Sequence, residues 1–77
     1  MPKHEKFLNS LLVKRVAVNI KRLRLEKHLS QEELATLSGY HRTYVGSIER
    51  SERNITLTTL ETIAKALQIE ASELLKE

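Results

Sequence analysis

Residues 30–50 read SQEELATLSGYHRTYVGSIER, and this stretch constrains the chain more than any other. Ser30 followed three residues later by Glu33 is a capping box, in which each side chain satisfies a backbone N–H left free at a helix start. Leu34, Ala35 and Leu37 give that helix an apolar side. Gly39 then ends it, because glycine enters the positive-φ region at no steric cost. A second helix over residues 42–50 turns Val45 and Ile48 inward, with His41 on the inward side or at its cap.

The rest of the chain supplies the support. Pro2, Gly39 and Gly46 are the only prolines and glycines, and no segment alternates with period two, so the whole chain reads as helix. A first helix over residues 12–27 places Leu12, Val16, Ile20 and Leu23 on one stripe. A polar connection follows residue 50. Thr58 and Glu61 form a second capping box that opens a fourth helix, buried through Leu60, Ile63, Ala64 and Leu67. A short fifth helix over residues 71–76 carries Leu74 and Leu75. The expected organisation is one all-α domain over residues 12–77 with an N-terminal extension at residues 1–11.

With 77 residues such a domain is marginal alone and gains stability by dimerising. No cysteine is present, so there is no disulfide and no thiolate metal site, which fits a reducing cytoplasm. His4, His28 and His41 are scattered, and no metal, cofactor or small-molecule ligand is expected. No apolar run approaches the roughly 18 residues that span a bilayer, and the N-terminus lacks a secretory apolar region. A cytoplasmic, nucleoid-associated protein without a membrane partner is the expectation.

Two short helices joined through so tight a turn form a helix-turn-helix, a unit that lays its second helix in the major groove of DNA. At about 100° per residue, Thr43, Gly46, Ser47 and Arg50 fall opposite Val45 and Ile48 and are expected to face outward. Arg42 sits in the first turn and reaches past the edge, and Tyr44 lies on a flank. An arginine can make two parallel bonds to guanine O6 and N7, and threonine can touch a base edge or a thymine methyl. Gly46 costs about 1 kcal/mol in a helix interior, which is either a tolerated weak spot or a close approach to DNA. The charge is uneven: residues 1–30 hold eight Lys/Arg against two Glu, whereas residues 31–53 hold three Arg against four Glu. A basic third is compatible with a polyanion partner, although Lys14, Arg15, Lys21, Arg22 and Arg24 read as mostly solvated. Glu49 is expected to pair with an arginine inside the protein.

These residues resemble the lambda-repressor/Cro-type (XRE) helix-turn-helix family. The resemblance rests on Gln31 opening the second helix, Ala35 at the close helix contact, Gly39 in the turn, and Ile48, Glu49 and Arg50 closing the third helix. The segments HRTYVGSIER and RNITLTTLETIAKAL look closer still to controller proteins of type II restriction-modification systems. His28 and Ser51 depart from the pattern, standing where the family often carries glycine. The resemblance spans residues 16–75 and implies a compact five-helix lambda-repressor-like fold that binds a palindromic operator, an inverted repeat in double-stranded DNA, as a homodimer. It implies base contacts from Arg42, Thr43 and Ser47. Backbone contacts would come from Gln31, Tyr44, Arg50, Arg53, Asn54 and Thr59. The dimer contact would use Ile55, Leu57, Ile69 and Leu74.

As a controller protein the chain would tune its own gene and an endonuclease gene. A DNA-binding antitoxin or a phage-type repressor is the alternative. An enzyme finds no Ser/His/Asp arrangement, no phosphate loop and no room for a deep pocket. Leu11, Val18 and Leu25 repeat every seven residues away from the core stripe of the first helix. That patch suits either a fold-back of Phe7 and Leu8 or a partner such as RNA polymerase.

Overall fold

The computed structural model describes residues 10–77. Among the described residues there are four α-helices and a terminal 3-10 helix: α1 Leu11–Glu26, α2 Gln31–Ser38, α3 Arg42–Glu49, α4 Leu57–Leu67, and a 3-10 helix at Ala71–Leu75. The expected fifth α-helix is therefore a 3-10 turn, and no strand is present among the described residues.

Each α-helix start carries a polar cap, and the 3-10 helix does not. Ser10 Oγ accepts from Val13 N at the head of α1. Ser30 and Glu33 close the capping box on α2 in both directions, at 2.9 and 2.8 Å. The α4 start differs from expectation. Thr56, in extended backbone, accepts from Thr59 N at 3.1 Å, so the helix begins at Leu57 and the Thr58–Glu61 box does not form. The stops are less orthodox. Gly39 ends α2 at φ +78°, but α1, α3 and α4 run into His28, Ser51 and Gln68 at φ +58°, +62° and +60°. His28 and Ser51 thus keep the left-handed backbone that glycine takes more cheaply.

The core is one cluster: Val16 and Ile20 from α1, Leu34 and Ala35 from α2, Val45 and Ile48 from α3, Leu60, Ile63, Ala64 and Leu67 from α4, and Leu74. Leu37 does not join it. It stands about 110° from the middle of the Leu34–Ala35 face at 100° per residue, and it is exposed. Leu12 is also exposed, on the wall of a surface groove beside Val16 and Leu60. Leu74 is corrected in the opposite sense. With no exposed surface it belongs to the core and has no face to offer a second subunit.

Asn19 ties the middle of α1 to the C-terminal residues. It is buried, and its side-chain amide donates to the Leu74 and Lys76 carbonyls at 2.9 and 2.7 Å. Leu11, Val18 and Leu25 are exposed along α1, as their spacing implies. Phe7 and Leu8 lie outside the described residues, as does most of the expected extension at residues 1–11; Leu11 itself opens α1.

Candidate nucleic-acid interface

The helix-turn-helix is formed by α2, the turn at Gly39 and α3. His41 precedes α3 in extended backbone and caps it: its Nδ1 accepts from Thr43 N at 3.0 Å. This is the cap position, not the apolar side. Arg42 and Thr43 follow in the first turn, both exposed. Arg42 Nη1 donates to Glu32 Oε2 at 2.7 Å, an exposed pair that links the first turns of α2 and α3.

The inner side of α3 is wider than the sequence implies. Val45, Gly46, Ser47 and Ile48 are all buried. The expected outward orientation of Gly46 and Ser47 is therefore corrected. Gly46 is covered by the Gln31 and Arg50 side chains and Ser47 by Arg53, which follows the helix stop where Glu52 N donates to the Ser47 carbonyl at 2.9 Å. Arg53 Nε donates to Ser47 Oγ at 3.1 Å, and that hydroxyl donates in turn to the Tyr44 carbonyl at 2.7 Å. A hydroxyl so enclosed is no base reader; it holds Arg53. The Arg53 guanidinium also lies over the Tyr44 ring, 5.6 Å from its centre. Tyr44 in turn meets Tyr40 edge-on at 5.1 Å. Tyr44 is half-buried, whereas Arg53 and Asn54 remain exposed beside it.

Gly46 has a local reason. A Cβ there would stand 3.0 Å from Arg50 Nη1 and 3.3 Å from Gln31 Oε1. The missing side chain lets those two polar groups lie close over the helix. Gln31 is half-buried at the start of α2 and donates from Nε2 to Glu49 Oε1 at 3.1 Å. Arg50, the residue closing α3, forks onto Glu52 at 3.0 and 3.2 Å. Thr59 is corrected as a backbone-contacting residue. It is buried, with its hydroxyl between Tyr40 Oη and Thr56 Oγ1 at 3.4 and 3.2 Å.

Charge on this face is held by local contacts. The Ser30 backbone N–H, and then its hydroxyl, keep the Glu33 carboxyl below the usual carboxylate range. Arg50, by its hydrogen bond above all, does the same to Glu52, and Glu52 raises the already high pKa of Arg50 in return.

Arg24 is the residue that sequence reasoning missed. It is buried, not solvated: Nε and Nη2 grip Glu49 Oε2 and Oε1 at 2.7 and 3.0 Å, and Nη1 donates to the Leu29 carbonyl at 2.7 Å. Glu49 does pair with an arginine inside the protein, as expected. The signal for Arg24 was its register, because it continues the Val16–Ile20 stripe in a further step of four.

The expected dimer residues stand differently from one another. Ile55 and Ile69 are half-buried and Leu57 is the most exposed large apolar side chain described. Ile55 and Leu57 line an apolar groove of about 240 Å³ with Leu12, Val16, Leu60 and Leu75. Among the described residues no group of three His, Asp or Glu side chains is placed to hold a metal ion, and no helix is long and apolar enough to cross a membrane.

With this geometry in view, the helix-turn-helix family HTH_3 matches residues 20–74. The chain belongs to that family. Its relatives within the family include the control protein C.SmaI of Serratia marcescens, 53% identical over 60 residues that cover 78% of this chain and 71% of that one. The crystal structure of the restriction-modification controller protein C.AhdI from Aeromonas hydrophila superposes with a TM-score of 0.78 at 45% identity, covering 80% of this chain and 94% of that chain. The controller protein C.Esp1396I, solved as a tetramer in complex with its natural 35 base-pair operator, gives 0.78 at 41% identity over 88% of this chain and 100% of that chain. The family's helix-turn-helix is thus the α2–α3 unit described above, with Arg42 and Thr43 at the head of its second helix.

Proposed function

We propose that this protein is a sequence-specific DNA-binding transcription regulator of the restriction-modification controller kind, acting as a homodimer on an inverted repeat. The observation that carries the reading is the placement of Arg42 and Thr43. Both project from the first turn of α3, the end that a helix-turn-helix presents to base edges. Arg42 reads a base pair through its guanidinium fork and Thr43 a base edge or methyl. Arg50, Arg53 and Asn54 flank them and hold phosphates, with Tyr44 against the sugar-phosphate backbone and Gln31 at the α2 N-terminus, where backbone N–H groups favour an anion.

Dimerisation uses the apolar groove and its rim, with Ile55 and Leu57 from the expected set and Leu75 in place of Leu74. Two α3 helices about 34 Å apart then enter successive major grooves. Named relatives that are control proteins favour this reading over an antitoxin.

The test is nuclease footprinting on the promoter fragment upstream of the protein's own gene, with excess random DNA as competitor. Protection of an inverted repeat supports an autoregulating controller. Binding no tighter than to the competitor overturns the reading of this promoter as its target.

A further inference from the structure

We infer that His41 is itself a DNA contact: a neutral imidazole that caps α3 with one ring nitrogen and donates a hydrogen bond to the duplex with the other. The inference rests on the proposed DNA-binding function and adds a residue to its reading end.

The cap of α3 differs from the others. Helix starts favour Ser, Thr, Asp or Asn, whose side-chain oxygen takes up a free backbone N–H. Ser10, Ser30 and Thr56 do this for α1, α2 and α4. At α3 the cap is His41, whose Nδ1 accepts from Thr43 N at 3.0 Å. A backbone N–H can only donate, so Nδ1 carries no proton. The neutral ring then carries its proton on Nε2, which becomes a donor. One bond thus selects the tautomer and turns Nε2 away from the helix. His41 is exposed, and no described residue accepts from Nε2.

Placement decides what that donor meets. His41 stands directly before Arg42 and Thr43, at the end of α3 that a helix-turn-helix presents to base edges. DNA offers acceptors there: phosphate oxygens along the rim of the major groove and purine N7 atoms along its floor. The helix start needs an acceptor, and the duplex needs a donor. An aspartate cap would satisfy the helix and repel the phosphates. The imidazole serves both from one rigid ring. Because the ring is neutral, its bond to DNA releases no counterion and adds nothing to the salt dependence.

The test uses a duplex selected by the wild-type protein from a randomised pool. Three full-length chains are compared on it: wild type, His41→Ser, and a synthetic 77-residue chain with Nε2-methylhistidine in place of His41. Serine keeps a preferred cap but is too short to reach DNA as well. The methyl group keeps the Nδ1 acceptor and removes the Nε2 proton. Both altered chains should melt within a few degrees of wild type. Both should bind about five- to tenfold more weakly, with an unchanged salt dependence. Duplexes with single methylphosphonate or 7-deazapurine replacements then locate the acceptor. At one position the replacement should weaken wild type as much as His41→Ser does, and should weaken His41→Ser no further. A coupled methylphosphonate assigns a phosphate oxygen, and a coupled 7-deazapurine assigns a purine N7.

Unchanged affinity in His41→Ser, or a loss confined to the methylated chain, overturns the inference and leaves the DNA-binding function intact. A loss without any coupled replacement does the same, and leaves His41 a cap and no more. A salt slope lowered by about one unit in His41→Ser would mean a cationic ring and also overturns it. A wild-type chain that selects no sequence overturns the function and the inference together.

Discussion

Arg24 and Glu49 join two helices that the sequence separates by 25 residues, through paired bonds of 2.7 and 3.0 Å with side chains only 8% and 3% exposed. The pair ties α1 to the end of α3, and Gln31 adds a third bond to the same carboxylate. The recognition helix is thus anchored by a residue outside the helix-turn-helix. Breaking a buried pair from one side leaves an unpaired charge, so Arg24→Met should cost about 3–5 kcal/mol. Replacing both, as Arg24→Met with Glu49→Leu, should recover much of that loss. Denaturant unfolding of the single and double variants checks it; equal losses in both would show that the ion pair itself is not what matters.

Ser47 and Arg53 should behave as one unit toward DNA. If Ser47 works by holding Arg53, Ser47→Ala and Arg53→Ala should each weaken cognate and random duplexes alike and flatten the salt dependence. Arg42→Ala should instead cost about 1–3 kcal/mol on the cognate site and relax preference at one base pair of each half-site. Competition binding against single-base variants of the operator separates the two patterns.

His28 and Ser51 hold positive φ without being glycine. That conformation costs an L-residue about 1–2 kcal/mol, part of which glycine gives back through a freer unfolded chain. His28→Gly and Ser51→Gly should therefore each raise the thermal midpoint modestly, by the equivalent of about 0.5–1 kcal/mol. A fall in the midpoint would mean that contacts of the native side chains outweigh the backbone strain.

Leu57 and Leu74 offer a contrast between surface and core. Leu57→Glu should leave the fold intact and shift the protein toward monomer in sedimentation experiments, since its side chain is 83% exposed on the groove rim. Leu74→Ala should cost about 2–5 kcal/mol in stability, as large-to-small core changes do. An undisturbed oligomer in Leu57→Glu would move the dimer contact elsewhere.

Acid should loosen the start of α2 and the end of α3. The carboxyls of Glu33 and Glu52 titrate below their unfolded values, the first through the Ser30 backbone N–H and the second through the Arg50 hydrogen bond. Groups lowered on folding stabilise the native state above the unfolded pKa of about 4.3 and lose that contribution as pH falls through the folded value. Both residues are exposed, so the effect is small. Melting midpoints of wild type and Glu33→Gln should differ at pH 7 and converge toward pH 3; a constant gap would rule the carboxylate out as the source.

Much of the site was legible because it is local. The capping box, Gly39, and the exposed pair Arg42 and Thr43 all follow from spacings of four residues or fewer. The long-range polar contacts were not. Asn19 reaches carbonyls 55 and 57 residues away, and Arg24 reaches a carboxylate 25 residues away. Helical periodicity says only that such positions face inward, never what they meet. Ser47 was misplaced because periodicity assumes one buried face, while α3 is also covered by the Gln31, Arg50 and Arg53 side chains. The helix ends were legible to within a residue, and His28 and Ser51 were marked as standing at family glycine positions; the left-handed backbone at Gln68 was not foreseen.

Gly46 divides what can be rewritten in this face from what cannot. A methyl group there would press on the Gln31 amide and the Arg50 guanidinium together, re-aiming two donors with one change. Arg42 and Thr43 carry no such burden, since both stand clear of the packed interior. On the proposed reading, retargeting to a new sequence begins at Arg42 and Thr43, where a substitution leaves the Gln31–Gly46–Arg50 packing untouched.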